Sequence, residues 1–228
     1  MAVVELAVTP LRELNAALHR LGPDTNETHW RVHNPRGAHS VAAGIDAPVT
    51  VEIEGHVGYY CAAMNKQATV TVHGNAGQGV AENIMSGEVR VLGDASQAAG
   101  ATGHGGLLVI DGNASARCGI SMKGVNIVVK GSVGHLTAFM AQAGNLVVLG
   151  DAGEALGDSI YEAHLYVRGR VKSLGADCIE KPLKAHHKGE LRKLLDAAGV
   201  NGVDLGAFRR YGSARKLYHF HIDNVGSY

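Results

Sequence analysis

Between residues 49 and 177, apolar and polar positions alternate in short bursts that return every 19 residues. Each burst reads apolar-x-apolar-x-Gly-x-small. The glycines are Gly55, Gly74, Gly93, Gly112, Gly131, Gly150 and Gly169. Four positions earlier stand Val51, Val70, Val89, Leu108, Ile127, Leu146 and Leu165. Two positions earlier stand Ile53, Val72, Val91, Ile110, Val129, Val148 and Val167. Two positions after the glycine the residue is Ala or Val in every copy. Seven registers without an insertion or deletion are a repeat, not a coincidence.

Period-two alternation in β-branched residues predicts a short strand with one buried face. Nineteen residues are too few for a helix pair, and the remaining positions carry no helical periodicity. Instead a small residue recurs at one offset: Ala62, Ala81, Gly100, Gly119, Ala138, Gly157 and Ala176. The pattern therefore predicts an all-β fold. It is a right-handed parallel β-helix, a single-stranded solenoid of about seven coils, stacked about 4.8 Å apart, with small helical flanks. No coil buries its own apolar face, so the stack forms as a unit. The anchor glycines are read as turn residues that admit a backbone bend a Cβ would obstruct. Gly77 recurs as Gly58, Gly134 and Gly153, which leaves only Gly79 free for a special role. A phosphate cradle there lacks the strand-to-helix context that such cradles need.

Three segments follow. Residues 1–48 read as an N-terminal helical cap. Thr9-Pro10 fits an N-cap with Pro at the first helical position, and Leu11, Leu14, Leu18 and Leu21 share one helical face. Residues 49–177 are the β-helix. Residues 178–228 read as a C-terminal helix and docking tail, with Leu191, Leu194, Leu195 and Ala198 on one face and Gly199 as the stop. Three positions before each anchor glycine the side chain points outward. There Glu52, Thr71 and Arg90 give way to Val109, Val128, Val147 and Tyr166. These four form a candidate interface, covered either by the chain's own tail or by a partner.

Composition adds exclusions. Net charge is zero with His neutral, which disfavours nucleic acid. The start, MAVVELAVTPLREL, lacks the basic and long apolar regions of a signal peptide. No apolar run approaches the roughly 20 residues of a membrane span. Three widely spaced cysteines fit a reducing cytoplasm, so the expected location is cytoplasmic.

Candidate chemistry is sparse. Cys61 and Cys118 share an offset three coils apart, roughly 14 Å, too far for a disulfide. They read as small core residues. His56, His73, His104, His135 and His164 occupy five different offsets and cannot stack as one ligand row. His186-His187 and His219-x-His221 are local pairs in the tail, read as polar or interface histidines. Asp94 and Asp151 follow anchor glycines, where their side chains can satisfy backbone N–H groups. Glu82, Asp111, Glu154, Asp158 and Glu162 are scattered. No catalytic, cofactor-binding or metal-ligating residue is assigned.

The segments GHVGYYCAAMNKQATVTVHGNAGQGVAENIMSGEVRV, GDASQAAGATGHGGLLVIDGNASARCGISMKG and GDAGEALGDSIYEAHLYVRG carry a family likeness. Over residues 49–177 the repeat resembles the GXGXG domain, the β-helix at the C-terminus of the glutamate synthase large subunit. It is also similar to the β-helical subunit of formylmethanofuran dehydrogenase. As a separate chain it looks like the GXGXG subunit of glutamate-synthase-like enzymes, above all the β subunit of N-methylglutamate synthase. That resemblance implies two partners in a hetero-oligomer: a class II glutamine-amidotransferase-like subunit and an FMN-binding subunit with iron–sulfur clusters. The implied reaction joins methylamine and glutamate into N-methylglutamate and releases ammonia. The implied role of this chain is a non-catalytic scaffold with no cofactor of its own. The alternatives are the matching scaffold of a formylmethanofuran dehydrogenase or formyltransferase/hydrolase complex, and an enzyme with its own site on the solenoid side or tail.

Overall fold

The computed structural model describes residues 1–216 of the chain. The strands are β1 (Ala2–Glu5), β2 (His29–His33), β3 (Thr50–Glu54), β4 (Thr69–Val72), β5 (Glu88–Val91), β6 (Leu107–Ile110), β7 (Lys123–Val129), β8 (Ala143–Val148), β9 (His164–Val167), β10 (Cys178–Lys181) and β11 (Arg209–Ser213). The helices are α1 (Leu11–His19) and α2 (Ala185–Ala197). One sheet runs β1 through β9 in parallel order and closes with β11 and then β10, both antiparallel. From β3 to β9 each strand pairs with the next at a spacing of 19, as in Val51↔Val70↔Val89↔Leu108. The molecule is the expected β-solenoid.

The anchor glycines are needed for a reason other than the one the sequence suggests. Only Gly55 of the seven has a positive φ. The others stack directly on one another. A Cβ on Gly74 would lie 2.7 Å from the carbonyl carbon of Gly55, and the same clash recurs up the column. From Gly93 to Gly169 each anchor glycine N–H donates to the glycine carbonyl one coil back, as in Gly93 to Gly74 at 3.0 Å and Gly112 to Gly93 at 3.0 Å. Close approach of backbone to backbone, not freedom of rotation, excludes a side chain here. A second column lies one residue further on. The Asn75 side chain accepts from the Asp94 N–H at 2.9 Å, Asp94 from Asn113 at 2.7 Å, and Asp151 from Arg170 at 2.8 Å. Asp94 and Asp151 thus satisfy backbone donors on the neighbouring coil, not in their own turn.

Behind this corner the backbone alternates in hand. Tyr60, Ala62 and Met64 all have positive φ, as do Ala98, Gly100 and Thr102 one coil pair on. Each switch reverses the peptide. The Tyr60 N–H donates forward to Gln78, Ala62 backward to Val41, and Met64 forward to Glu82. The strain of non-glycine left-handed residues, about 1–3 kcal/mol each, is offset by inter-coil bonds on both sides. Gly79 belongs to this series, with φ +72, at the offset of Tyr60 and Ala98. Of the small residues noted in the sequence, Ala62, Ala81 and Ala138 are fully buried inside the coil, while Ala176, in the last copy, is exposed.

The sheet begins before residue 49. β2 pairs with β3 at a spacing of 21, Trp30 opposite Val51, so an additional coil lies within residues 29–48. Only Leu11–His19 of the N-terminal segment is helical, and Pro10 is its cap position, with no side-chain capping bond. Leu14 and Leu18 are buried against the solenoid core. Asn15 reaches the end coil twice: Nδ2 donates to the Ser40 carbonyl at 2.8 Å, and Oδ1 accepts from the Ala42 N–H at 3.1 Å. α1 therefore satisfies polar backbone that another coil would otherwise pair, as an exposed edge requires.

Candidate functional site

The candidate interface residues Val109, Val128, Val147 and Tyr166 are fully buried by the chain itself. Leu191, Leu194, Leu195 and Ala198 of the α2 segment, with Phe208, form one apolar cluster with them. This corrects the alternative of a partner on that row, because α2 already covers the apolar outer strand surface. The change from Arg90 to Val109 marks where α2 begins to cover the sheet. Gly199, with φ +70, ends the helical segment, and Arg90 Nη2 donates to the Ala198 carbonyl at 3.3 Å.

The polar end of the same contact is the richest cluster among the described residues. Glu190 projects from α2 and accepts from Tyr166 Oη at 2.8 Å, from Asn145 Nδ2 at 3.2 Å and from His164 Nδ1 at 3.3 Å. Burial pushes the Glu190 carboxyl up, but the three hydrogen bonds outweigh it and the net shift is downward. Tyr166 moves the other way, held protonated first by burial and then by its bond to Glu190. The His164 ring lies 5.4 Å from that of His187, and His187 lies 3.9 Å from His186. His187 Nδ1 accepts from the Lys184 N–H at 3.1 Å, closing the start of α2. Burial lowers the pKa of His187 to about 4, helped by Arg210, His186 and His164.

Sequence spacing does not join these residues. His164 sits in the repeat and His186-His187 in the tail. They meet because β11 enters between β9 and β10 and folds α2 back over the sheet. Beside them opens a pocket of about 240 Å³, lined by residues that include Lys181, Lys184, His186, His187 and Arg210.

Other candidates stay apart. Cys61, Cys118 and Cys178 are free thiols buried in the core. Burial pushes each up to about 12, and for Cys178 the charges of Asp177 and Asp158 add to it. They are thiols, not thiolates, near neutral pH. His73 meets Glu52 on the sheet surface. Asp111 is shared by Arg90 and Lys130, each at 3.0 Å. Among the described residues no group of three or more His, Cys, Asp or Glu could hold a metal ion. His219 and His221 lie outside the described residues. No helix among the described residues is long and apolar enough to cross a membrane.

A relative identifies the family. Protein GlxC of Rhizobium meliloti (strain 1021) is 63% identical over 228 residues, covering 100% of both chains. The chain belongs to the GlxC family. No protein-family model matches it, and no solved structure does. A match that runs the full length of both chains spans the solenoid and both helical flanks together. The likeness to the GXGXG domain rests on the 19-residue repeat itself.

Proposed function

We propose that this chain is a non-catalytic scaffold subunit of a multi-subunit FMN and iron–sulfur glutamate-synthase-like enzyme of the N-methylglutamate synthase type. It bridges a class II glutamine-amidotransferase-like subunit and an FMN-binding subunit in the cytoplasm. The reading starts from the resemblance of the repeat to the GXGXG domain. The observation that carries it further lies on the early coils, outside the sheet strands. Tyr59, Tyr60 and Met64 are exposed there, Tyr59 against Tyr60 edge to face, and Tyr60 and Met64 line a shallow pocket with Ala43, Ala63 and Glu82 among others. Large apolar side chains grouped on a rigid surface favour a contact face, and methionine adapts readily to a partner. α2 covers the sheet on the later coils, while this patch on the early coils stays open.

The test is co-expression of the chain with the two expected subunits. The three should co-purify, with flavin absorbance, and form N-methylglutamate from methylamine and glutamate. Tyr60→Asp with Met64→Asp should leave the isolated chain folded and abolish co-purification. If the two other subunits assemble and turn over fully without this chain, the scaffold reading is wrong.

A further inference from the structure

Strand pairing sets two cations face to face. Lys181 on β10 lies directly opposite Arg210 on β11, and Arg210 lies opposite Tyr166 on β9. Like charges directly opposite on paired strands are destabilising. Arg210 is also only 8% exposed. Its Nε donates to the Pro182 carbonyl at 3.2 Å, yet among the described residues no carboxylate forms an ion pair with it. Among the same residues Lys181 and Lys184 form none either. The carboxylate on this pocket's wall, Glu162, is engaged by Arg215 at 2.9 Å. The other nearby carboxylate, Glu190, is taken by Tyr166, Asn145 and His164.

A buried guanidinium without a counter-charge is costly unless something supplies one. Here three cationic side chains, Arg210, Lys181 and Lys184, line one open pocket of about 240 Å³. The His187 ring accepts through Nδ1, so its neutral form carries the proton on Nε2 and offers a further donor. We propose that this pocket binds a small oxyanion, a carboxylate or a phosphate, with Arg210 as the central ligand and Lys181 and Lys184 at its flanks. Arginine's planar fork suits either group bidentately. The volume falls below the roughly 300–1,000 Å³ of drug-sized ligand sites, which favours an anion the size of phosphate or a short dicarboxylate over a nucleotide. The inference does not rest on the scaffold role, since every residue named for the pocket belongs to this chain.

The experiment is isothermal titration of the full chain at low ionic strength with inorganic phosphate and, separately, with glutamate. Saturable one-to-one binding of either is the expected result, and the anion that binds identifies the source of the oxyanion. Arg210→Gln should weaken binding at least tenfold. Lys181→Gln with Lys184→Gln, both nearer the surface, should weaken it while leaving the fold intact even if the Arg210 variant is unstable. Lys193→Gln, exposed on α2, should change nothing. Absence of binding by both anions, or equal affinity in the wild type and the Lys181/Lys184 variant, overturns the proposal.

Discussion

The Gly131 N–H donates to the Gly112 carbonyl at 2.9 Å, and a Cβ on Gly131 would lie 2.6 Å from that same oxygen. The hydrogen bond and the absence of a side chain are thus one requirement. Two coils cannot approach to bonding distance at this corner unless the residue on the later coil is glycine.

Gly131→Ala should therefore force the coils apart in mid-stack and cost about 3 kcal/mol or more, by overpacking and by loss of the bond. Gly189→Ala is the contrasting substitution. Gly189 lies within α2, and a Cβ there meets nothing within 4 Å. It should stabilise by about 0.5–1 kcal/mol through helix propensity. Urea denaturation of the two variants checks both signs. A harmless Gly131→Ala would contradict the stacking account.

The repeat makes the solenoid legible because each coil obeys the same register, but the register also conceals things. The coil within residues 29–48 is spaced at 21 instead of 19, so a search at fixed period passes over it. The glycines are visible, though not their reason, because a stacking contact between coils has no signature within one coil. The left-handed residues are hidden more deeply. Tyr60, Met64 and Arg117 have no local propensity for positive φ, and inter-coil bonding overrides theirs. The leucines of α2 are readable as an apolar face. Which charges that helix brings beside His164 depends on β11 entering the sheet ahead of β10, and no spacing in the chain records that.

Coverage of the sheet by α2 makes a prediction for the isolated chain. Val128→Lys with Val147→Lys places two ammonium groups beneath Leu191, Leu194 and Leu195. The double variant should lose more than about 3 kcal/mol of stability on its own, since buried charge without a partner is among the costliest substitutions. The midpoint of thermal unfolding in the absence of any other subunit measures it. An isolated variant as stable as the wild type would mean that α2 does not seal this face in solution.

The thiols should be silent until the chain unfolds. Cys61, Cys118 and Cys178 are buried and protonated. An aromatic disulfide reagent at pH 8 should therefore titrate none of them in the native protein and all three in denaturant. Rapid native reaction at Cys178, nearest the C-terminal closure, would show that β10 and β11 open on the timescale of the assay.

His187 should make the protein sensitive to mild acid. Its pKa is lowered from 6.5 to about 4 in the fold, first by burial and then by Arg210, His186 and His164, with Glu190 opposing. Between those two values the unfolded chain binds a proton that the native chain does not. Stability from this group is then fully present above about pH 6.5 and is lost as pH falls toward 4. Each pK unit corresponds to about 1.4 kcal/mol, and the loss by pH 4.5 should be about 2 kcal/mol. In His187→Gln that component should vanish, leaving a flatter profile between pH 7 and 4.5 even if the variant starts from lower stability. An anion held by Arg210 would oppose the positive field at His187 and raise its pKa. Phosphate should therefore flatten the wild-type profile and leave that of His187→Gln nearly unchanged. Urea denaturation at half-unit pH intervals, with and without phosphate, separates these slopes. Parallel profiles for wild type and variant would show that His187 does not carry the acid sensitivity.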